Sequence, residues 1–493
     1  MPELDLLLAP LHAPSLSSEP RQARLYHLLR EAILHGQLQP GSRLPGSRQL
    51  AADYRLARNS VLYAYQQLLA DGFIAADRGG TRVAALPLPQ TAASAASAGA
   101  PSAAAFLSQR ARSLPAATTG EALLPFAPGA PDVNAFPWAA WARCLQQAWR
   151  GISARHLVSA EAGGQAELRR AVAGFLSARR GVRCTPAQVF IVAGGQVALD
   201  ACARLLADSG DTVWVENPAY QAGRNTMLAA GLRVVDVAVD EQGMAAPAAL
   251  WQQAPPRLIY LTPSHQYPLG SVLSLERRLD FLNRAEAAAS WLIEDDYDSD
   301  FNHERPGATP LPAIQGLRPN APVVYVGTFS KLLFPGLRLA YMVVPPWAVD
   351  DFGAAIGKLY RGGQAVEQRA LARFIDSGQL ARHMRRMAPI YRQRQHALVE
   401  ALRCNFGSEF PILGGQAGLH LVLRLPEHMP DRQVVEAAKA QGITVRALSN
   451  YCVGAAPLNG LLLGYGIVEQ AQIAGLVRRL RLACEASITS AVR

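Results

Sequence analysis

Apolar residues recur at helical spacing twice in the first 84 residues, and a short helix is signalled between the two repeats. The first repeat predicts a helix between Arg21 and His35, and Ser47 predicts an N-cap for a helix over Arg48–Asp53. The second repeat has an apolar face of Val61, Ala64, Tyr65, Leu68 and Leu69. Residues 73–76 and 81–84 flank a turn and predict a hairpin. Three helices followed by a hairpin are typical of a winged helix-turn-helix, which we place at residues 1–84.

The next segment has the composition of a tether. Residues 85–120 are rich in Ala, Ser, Pro, Thr and Gly, and their charged residues are Arg110 and Arg112. Such a chain buries little apolar surface. We therefore predict a flexible linker, with a short helix near residues 103–110.

From residue 121 onward, short apolar runs alternate with helical segments. The runs lie at 189–192, 258–261, 291–293, 323–326 and 340–344. Strands that alternate with helices predict a large α/β domain. A later strand at 419–423, between further helices, predicts a smaller α+β domain, and we assign residues 121–493 to this two-part body.

Composition narrows the classes of protein that fit this pattern. Half of the 493 residues are apolar and 17% are charged, as in globular chains with more than one core. The six cysteines are scattered without a C-x-x-C pair, so we expect no metal site and a reducing compartment. We find no basic leader and no long apolar run, so we expect a cytoplasmic protein without a membrane segment.

Arginine is concentrated in the predicted head. Residues 20–84 hold nine Arg against four acidic residues, and the whole chain has a net charge of +10. Arginine contacts DNA phosphates and pairs bidentately with guanine edges. The charge therefore favours a DNA-binding surface over the alternative of a small solvated domain with scattered arginines.

The segment Pro40–Ala51, with Arg58–Val61 and Asp71–Ile74 after it, resembles the GntR-type DNA-binding domain. The resemblance implies a recognition helix that begins with Arg58, Asn59 and Ser60. Gly46 stands where the family often has Ser, and residues 54–56 replace its usual turn, so we expect one phosphate contact fewer and a different turn. The residues predicted to contact DNA are Arg43, Ser47, Arg48, Arg58, Asn59, Ser60, Arg78, Thr81 and Arg82.

Lysine is rare in this chain, and one lysine has a distinctive setting. Of the 48 Lys and Arg residues, the lysines are Lys331, Lys358 and Lys439. A desolvated lysine can lose its proton and attack an aldehyde, whereas arginine stays charged. Lys331 follows one predicted strand, and the preceding predicted strand ends in Asp295 and Tyr297. Side chains at strand ends are where ligands bind in open α/β sheets.

This ordered set resembles the fold-type-I enzymes that use pyridoxal 5′-phosphate. The resemblance implies that Lys331 forms a Schiff base with the cofactor, Asp295 pairs with the pyridine nitrogen and Tyr297 meets the phenolic oxygen. The remaining residues implied at the cofactor are Thr328, Ser330, Arg338, Gly195, Gln196, Tyr220 and His265. On the residues alone, a plain turn at Gly195 and structural roles for Tyr220 and His265 remain alternatives.

Head, linker and body together resemble the MocR/GabR family over essentially the whole chain. The resemblance implies a transcription regulator that binds pyridoxal 5′-phosphate and double-stranded operator DNA. It also implies a head-to-tail homodimer that senses an amine, an amino acid or the cofactor itself. The rivals are a working aminotransferase with a DNA-binding head, and a DNA-binding protein with a degenerate dimerisation body. The complete set of Asp295, Lys331 and Arg338 disfavours the second rival.

Two departures from the family concern the ligand. Family members that sense an amino acid carry an Arg shortly before the strand that is Leu461–Tyr465 here, but Ala455–Gly460 contains none. Without this clamp for a carboxylate we expect little or no transamination, and we assign no catalytic residue. Arg224 or Arg446 could serve a carboxylate instead. Ser159 stands where a Tyr of the neighbouring subunit is expected at the phosphate.

Overall fold

The chain forms two compact units, residues 1–106 and 107–493. A computed structural model describes residues 7–8, 11, 20–77, 80–85, 108–112, 124–158, 161–301, 311–454 and 457–491. Most of the predicted linker, together with Arg78, Ser159, Ala455 and Ala456, lies outside the described residues. The domain limits at 84 and 120 therefore stay predictions. In the described part of the predicted linker, residues 109–112 form a short helix, α4 (Gln109–Arg112).

The head contains the predicted helices and hairpin, which are α1 (Arg21–Leu34), α2 (Ser47–Asp53), α3 (Arg58–Ala70), β1 (Ile74–Asp77) and β2 (Gly80–Val83). Leu25, Leu29, Val61 and Leu68 are buried in one apolar core, as their spacing predicts, whereas Leu69 is exposed. Ser47 is the first residue of α2 and makes no capping hydrogen bond. The prediction of Ser47 as N-cap was wrong, because the extended backbone of Gly46 already occupies that position.

The body is built on an eight-stranded sheet, flanked by helices, in the order β3-β10-β9-β8-β7-β4-β5-β6. Strands β9, β8, β7, β4 and β5 are parallel neighbours, and β10 is antiparallel to both β3 and β9. The strands are β3 (Val189–Val192), β4 (Thr212–Asn217), β5 (Arg233–Asp240), β6 (Gly243–Met244), β7 (Leu258–Leu261), β8 (Trp291–Asp296), β9 (Val323–Thr328) and β10 (Ala340–Val343). The helices are α5 (Trp138–Arg150), α6 (Ala154–Val158), α7 (Ala166–Arg180), α8 (Gly195–Leu206), α9 (Gln221–Ala229), α10 (Ala248–Gln253), α11 (Leu275–Ala287), α12 (Ile314–Leu317), α13 (Val349–Leu359) and α14 (Ala365–Asp376).

A second, antiparallel sheet of four strands follows, in the order β11-β12-β14-β13. Its elements are α15 (Gln379–Phe406), β11 (Ile412–Leu413), β12 (His420–Arg424), α16 (Asp431–Ala440), β13 (Arg446–Ala447), β14 (Gly460–Gly464) and α17 (Gln470–Ala491). One face of this sheet, with Leu421 and Leu463, joins the core formed with α15 and α17. The other face, with Val422 and Leu462, packs against Tyr267 and Leu269 of the large sheet's domain. Among the described helices, none is both long and apolar enough to cross a membrane.

Candidate functional site

The candidate site lies at the carboxyl edge of the large sheet, because parallel strands all present their carboxyl ends on the same side. Asp295 lies at the end of β8 and Thr328 at the end of β9. Gly195 and Gln196 lie three and four residues after the end of β3, Tyr220 follows β4, and His265 follows β7. The strand order therefore brings together side chains that are far apart in the sequence.

Lys331 lies just beyond β9, and its Nζ donates a hydrogen bond to the carbonyl oxygen of Gly129. Burial lowers the pKa of the Lys331 amine, while the negative charges of Asp298 and Asp295 act in the opposite direction. A lowered pKa raises the fraction of neutral amine, which is the nucleophilic form. Lys331 therefore has the setting of a reactive amine.

Asp295 and Asp296 are neighbours in sequence with opposite environments. Burial raises the pKa of Asp295 to about 7, and its Oδ2 accepts a hydrogen bond of 2.8 Å from the Tyr260 hydroxyl. Burial would also raise the pKa of Asp296, but the Arg180 guanidinium at 2.7 Å brings the net shift below the usual value. Asp296 thus belongs to a structural ion pair, whereas Asp295 remains able to pair with a cationic ligand.

Tyr297 and His265, both predicted near the cofactor, are in contact with each other. The Tyr297 hydroxyl lies 3.0 Å from His265 Nδ1, and the same nitrogen lies 2.9 Å from Asp298 Oδ1. Although burial opposes it, the Asp298 carboxylate leaves the pKa of His265 above its usual value. Burial and the nearby His265 lower the pKa of His420 to about 3.

The ligating atoms of His265, Asp298 and His420 all lie within 4.8 Å of one another, a composition that metal sites also use. The Asp298 carboxylate and the Tyr297 hydroxyl both contact His265 Nδ1, and His420 Nε2 lies 3.2 Å from the Pro268 carbonyl oxygen, so each imidazole has a partner within the fold. His420 Nδ1 has no hydrogen-bond partner among the described atoms. The prediction of no metal site relied on cysteine spacing and could not have detected this group.

Potential anion-binding groups lie at the end of β9 and at the turn before α8: Thr328 ends β9 and Ser330 follows it, and Arg338 lies against that turn. Thr328 Oγ1 donates to Ser330 Oγ at 3.0 Å and accepts from the Ser330 backbone N–H at 3.1 Å. A Cβ on Gly194, whose φ is +106°, would lie 3.0 Å from Arg338 Nη2. The N–H groups of a helix start, two hydroxyls and a guanidinium are all donors suited to an anion, and we refer to these groups together as the anion site. Gly194, which was not among the predicted residues, has a φ that disfavours a side chain, whereas a Cβ on Gly195 would meet nothing within 4 Å; the placement of Gly195 at the phosphate stays a prediction.

Two further tyrosines, Tyr267 and Tyr451, lie beside the residues predicted at the cofactor and were not predicted from the sequence. The Tyr267 ring lies 5.6 Å from Tyr220 and 5.7 Å from Tyr297, both of which were predicted at the cofactor. Its hydroxyl donates to the Tyr451 hydroxyl at 3.3 Å. Tyr267 lies in the turn after β7, two residues after the predicted His265, and could have been included in the prediction. Tyr451 comes from the small domain and has no such signal in the sequence.

Arg224 does not fit the alternative of a free carboxylate-binding residue. Its Nε and Nη2 donate to the two carboxylate oxygens of Asp236 at 2.8 and 2.9 Å, a bidentate pair already satisfied within the fold. Asn459, in the segment where the family Arg is expected, donates to the carbonyls of Leu425, Pro426 and Met429. It therefore anchors the chain before β14.

In the head, the predicted DNA-binding residues that the structure describes lie in two regions, at the hairpin and at the starts of α2 and α3. Arg43 and Arg82 form an isolated antiparallel bridge, and Leu44 N donates to Thr81 O at 2.9 Å. The structure thus brings Arg43 beside the hairpin. Arg58 and Asn59 are exposed at the start of α3, Ser60 is half-buried there, and Ser47 and Arg48 begin α2, which packs on α3.

Comparisons with known proteins agree with this two-part construction. The profile "Bacterial regulatory proteins, gntR family" matches residues 21–83, and "Aminotransferase class I and II" matches residues 129–491. The probable rhizopine catabolism regulatory protein MocR of Rhizobium meliloti is 37% identical, over 94% of each chain.

This chain belongs to the MocR/GabR family. Another relative in this MocR-type group is the pyridoxine biosynthesis regulator PdxR of Corynebacterium glutamicum, 31% identical over 94% of this chain and 95% of PdxR. The body of this MocR/GabR protein also resembles LysN, the α-aminoadipate aminotransferase of Thermus thermophilus. LysN is 26% identical with a TM-score of 0.70, over 78% of this chain and 99% of LysN, and its structure holds N-(5′-phosphopyridoxyl)-L-leucine.

Proposed function

We propose that this protein is a DNA-binding transcription regulator whose body binds pyridoxal 5′-phosphate at Lys331. The observation that carries the proposal is the grouping of Lys331, Asp295 and the anion site at one sheet edge, in a chain that also has a GntR-type head. MocR and PdxR, which match this chain over nearly their whole length, are both named as regulators.

The residues at the sheet edge fit the cofactor at both of its charged ends. Asp295, whose pKa burial raises to about 7, would be held ionised by a pyridinium nitrogen. Because Gly194 lacks a Cβ, the Arg338 guanidinium can lie against the turn before α8, where it and the N–H groups of the helix start could both contact the phosphate. When bound, pyridoxal 5′-phosphate supplies an aldehyde and an electron-withdrawing ring. Lys331 would contribute the neutral amine, and Tyr297 would position the ring's phenolic edge.

The effector is proposed to be an amine, an amino acid or the cofactor itself. The effector would regulate DNA binding by favouring one of two conformations of the body. It can shift their populations only if it binds one conformation more tightly than the other. We further propose a cytoplasmic head-to-tail homodimer with a head at residues 1–84, a linker at 85–120 and the body at 121–493. Two linked heads would make the second DNA contact intramolecular.

The alternative, a working aminotransferase, has the support of the body's fold. It is disfavoured because Asn459 lies where a carboxylate-binding Arg is expected and is engaged by backbone carbonyls.

Selecting DNA fragments with the full-length protein tests the regulator proposal. We expect one enriched sequence motif in repeated half-sites. Arg58→Ala should relax the base preference, while Arg43→Ala should weaken binding to all sequences and reduce the salt slope by about one unit. The proposal fails if the selected pool has no common motif, or if neither variant changes binding.

A further inference from the structure

One ring nitrogen of His265 lies between two oxygen atoms beside the candidate cofactor site. His265 Nδ1 is 2.9 Å from Asp298 Oδ1 and 3.0 Å from the Tyr297 hydroxyl oxygen. The side chains of His265 and Asp298 are only 1% and 2% exposed, so bulk water does not compete for these contacts. The position of the proton on this nitrogen therefore decides the direction of both hydrogen bonds.

The charge of Asp298 decides where that proton lies. An ionised carboxylate can only accept a hydrogen bond, so its contact with His265 requires a proton on Nδ1. Burial disfavours a charge on His265, but Asp298 outweighs this effect and holds the pKa of the imidazole above its usual value. A protonated Nδ1 has no lone pair with which to accept from Tyr297. The Tyr297 oxygen is therefore the acceptor, and its own proton is available to another group.

The groups on the other sides of His265 leave this arrangement in place. His265 Nε2 lies 3.4 Å from the Gly414 carbonyl oxygen, which can only accept a proton. The His420 ring is 4.9 Å away between centroids, and because its pKa is lowered to about 3 it is neutral near pH 7. Asp296, whose charge also raises the pKa of His265, is paired with Arg180. Asp298 is thus the acid in direct contact with Nδ1.

We propose that Asp298 and His265 are positioning residues that hold Tyr297 as a hydrogen-bond donor to the phenolic oxygen of bound pyridoxal 5′-phosphate. This inference rests on the proposed function, because that oxygen belongs to the cofactor. The N–H that Tyr297 accepts polarises its own O–H bond and so strengthens its donation. A donor at the phenolic oxygen favours the more negative, deprotonated form of the bound cofactor and thereby lowers the cofactor's apparent pKa.

The test uses the full-length protein loaded with pyridoxal 5′-phosphate, and it follows the visible absorbance of the bound cofactor as a function of pH without an effector. Tyr297→Phe removes the donor and should raise the apparent pKa of the cofactor by about 1, a tenfold change in proton affinity. His265→Leu removes the N–H and leaves the Asp298 carboxylate to compete for the Tyr297 proton. It should raise the apparent pKa by part of that amount.

Two further substitutions at His265 show whether the N–H itself is responsible. His265→Gln places its amide near the position of Nε2 and leaves the position of Nδ1 without a donor, so it should raise the apparent pKa as His265→Leu does. This polar variant provides the result if the leucine variant does not fold. His265→Asn places an N–H near the position of Nδ1 and should restore a value close to that of the wild type.

A double variant separates an action through Tyr297 from a direct effect of charge. If His265 acts through Tyr297, the protein with both Tyr297→Phe and His265→Leu should have the apparent pKa of Tyr297→Phe alone. An imidazolium that acted directly on the cofactor would add its own shift in either background. His420→Leu is the matched control, because it removes a buried imidazole beside His265 whose Nε2 faces the Pro268 carbonyl oxygen. It should keep the wild-type pKa of the cofactor.

Three results would overturn the positioning role. One is a cofactor pKa that neither His265→Leu nor His265→Gln changes. The second is a double variant in which the two shifts add, and the third is a His265→Asn protein that shifts as far as His265→Gln. A wild-type protein that retains no cofactor would instead refute the proposed function, and the positioning role with it.

Discussion

Replacing Asp295 by Asn should stabilise the cofactor-free protein while weakening its hold on the cofactor. Burial raises the pKa of Asp295 from 3.8 to about 7 in the folded state. In wild type the folded state therefore keeps a proton that the unfolded state has already lost, so the free energy of unfolding falls as pH rises from about 4 to 7. A pKa difference of about three units corresponds to at most about 4 kcal/mol.

An asparagine at position 295 retains an oxygen to accept the Tyr260 hydrogen bond but carries no charge to desolvate. We expect Asp295→Asn to equal wild type in stability near pH 4 and to exceed it by about 2–4 kcal/mol at pH 8. Urea unfolding of both cofactor-free proteins across this pH range measures the difference. The same variant should bind pyridoxal 5′-phosphate more weakly, because the pyridinium loses its charged partner.

Asp296→Asn is the matched control, because the adjacent carboxylate has the opposite environment. Arg180 lowers the pKa of Asp296 against the effect of burial, so the stability that this pair contributes is present above the unfolded pKa and is lost as pH falls through the folded one. Removing that charge leaves Arg180 buried without its partner and should cost about 3–5 kcal/mol at neutral pH. The reasoning is refuted if Asp295→Asn is destabilised at pH 8, or if both variants show the same pH dependence.

Three further predictions concern the same site. Borohydride reduction of the purified protein should leave a pyridoxyl group on Lys331, and a mass spectrum that maps it to another lysine would reject the cofactor assignment. Gly194→Ala should lower both stability and cofactor affinity, since a side chain at φ +106° costs about 1–3 kcal/mol and would displace Arg338. The control is Gly174→Ala, at an exposed position in the middle of α7, where an added Cβ would meet nothing within 4 Å. It should stabilise the protein by about 0.5–1 kcal/mol, and thermal melts of both variants measure the difference. Incubation with L- and D-amino acids and an oxo-acid acceptor should give no steady keto-acid production, and turnover of about one per second or faster would favour the enzyme interpretation.

Most of the elements were predictable because their signals are local. The apolar spacing of Leu25, Leu29 and Ile33 predicts α1, and all three residues are buried in the head's core. The apolar runs before Asp295 and Thr328 predict β8 and β9, both of which the structure contains. Errors occurred at boundaries, as with Ser47, because the end of a helix depends on backbone geometry more than on side-chain pattern.

The sequence by itself determined the two-part construction, the strand ends that carry Asp295 and Lys331, and the arginine-rich head. Periodicity, turn residues and motif order are properties of neighbours along the chain, so they need no knowledge of the fold. Only the tertiary structure decided that Tyr260 donates a hydrogen bond to Asp295, that Arg180 forms an ion pair with Asp296 and that Arg224 forms one with Asp236. These contacts depend on sheet order and strand register, which bring together residues separated by 35, 116 and 12 positions. Burial, which sets the charge states of Asp295 and Lys331, is likewise a property of the packed chain, because desolvation comes from atoms distant in sequence.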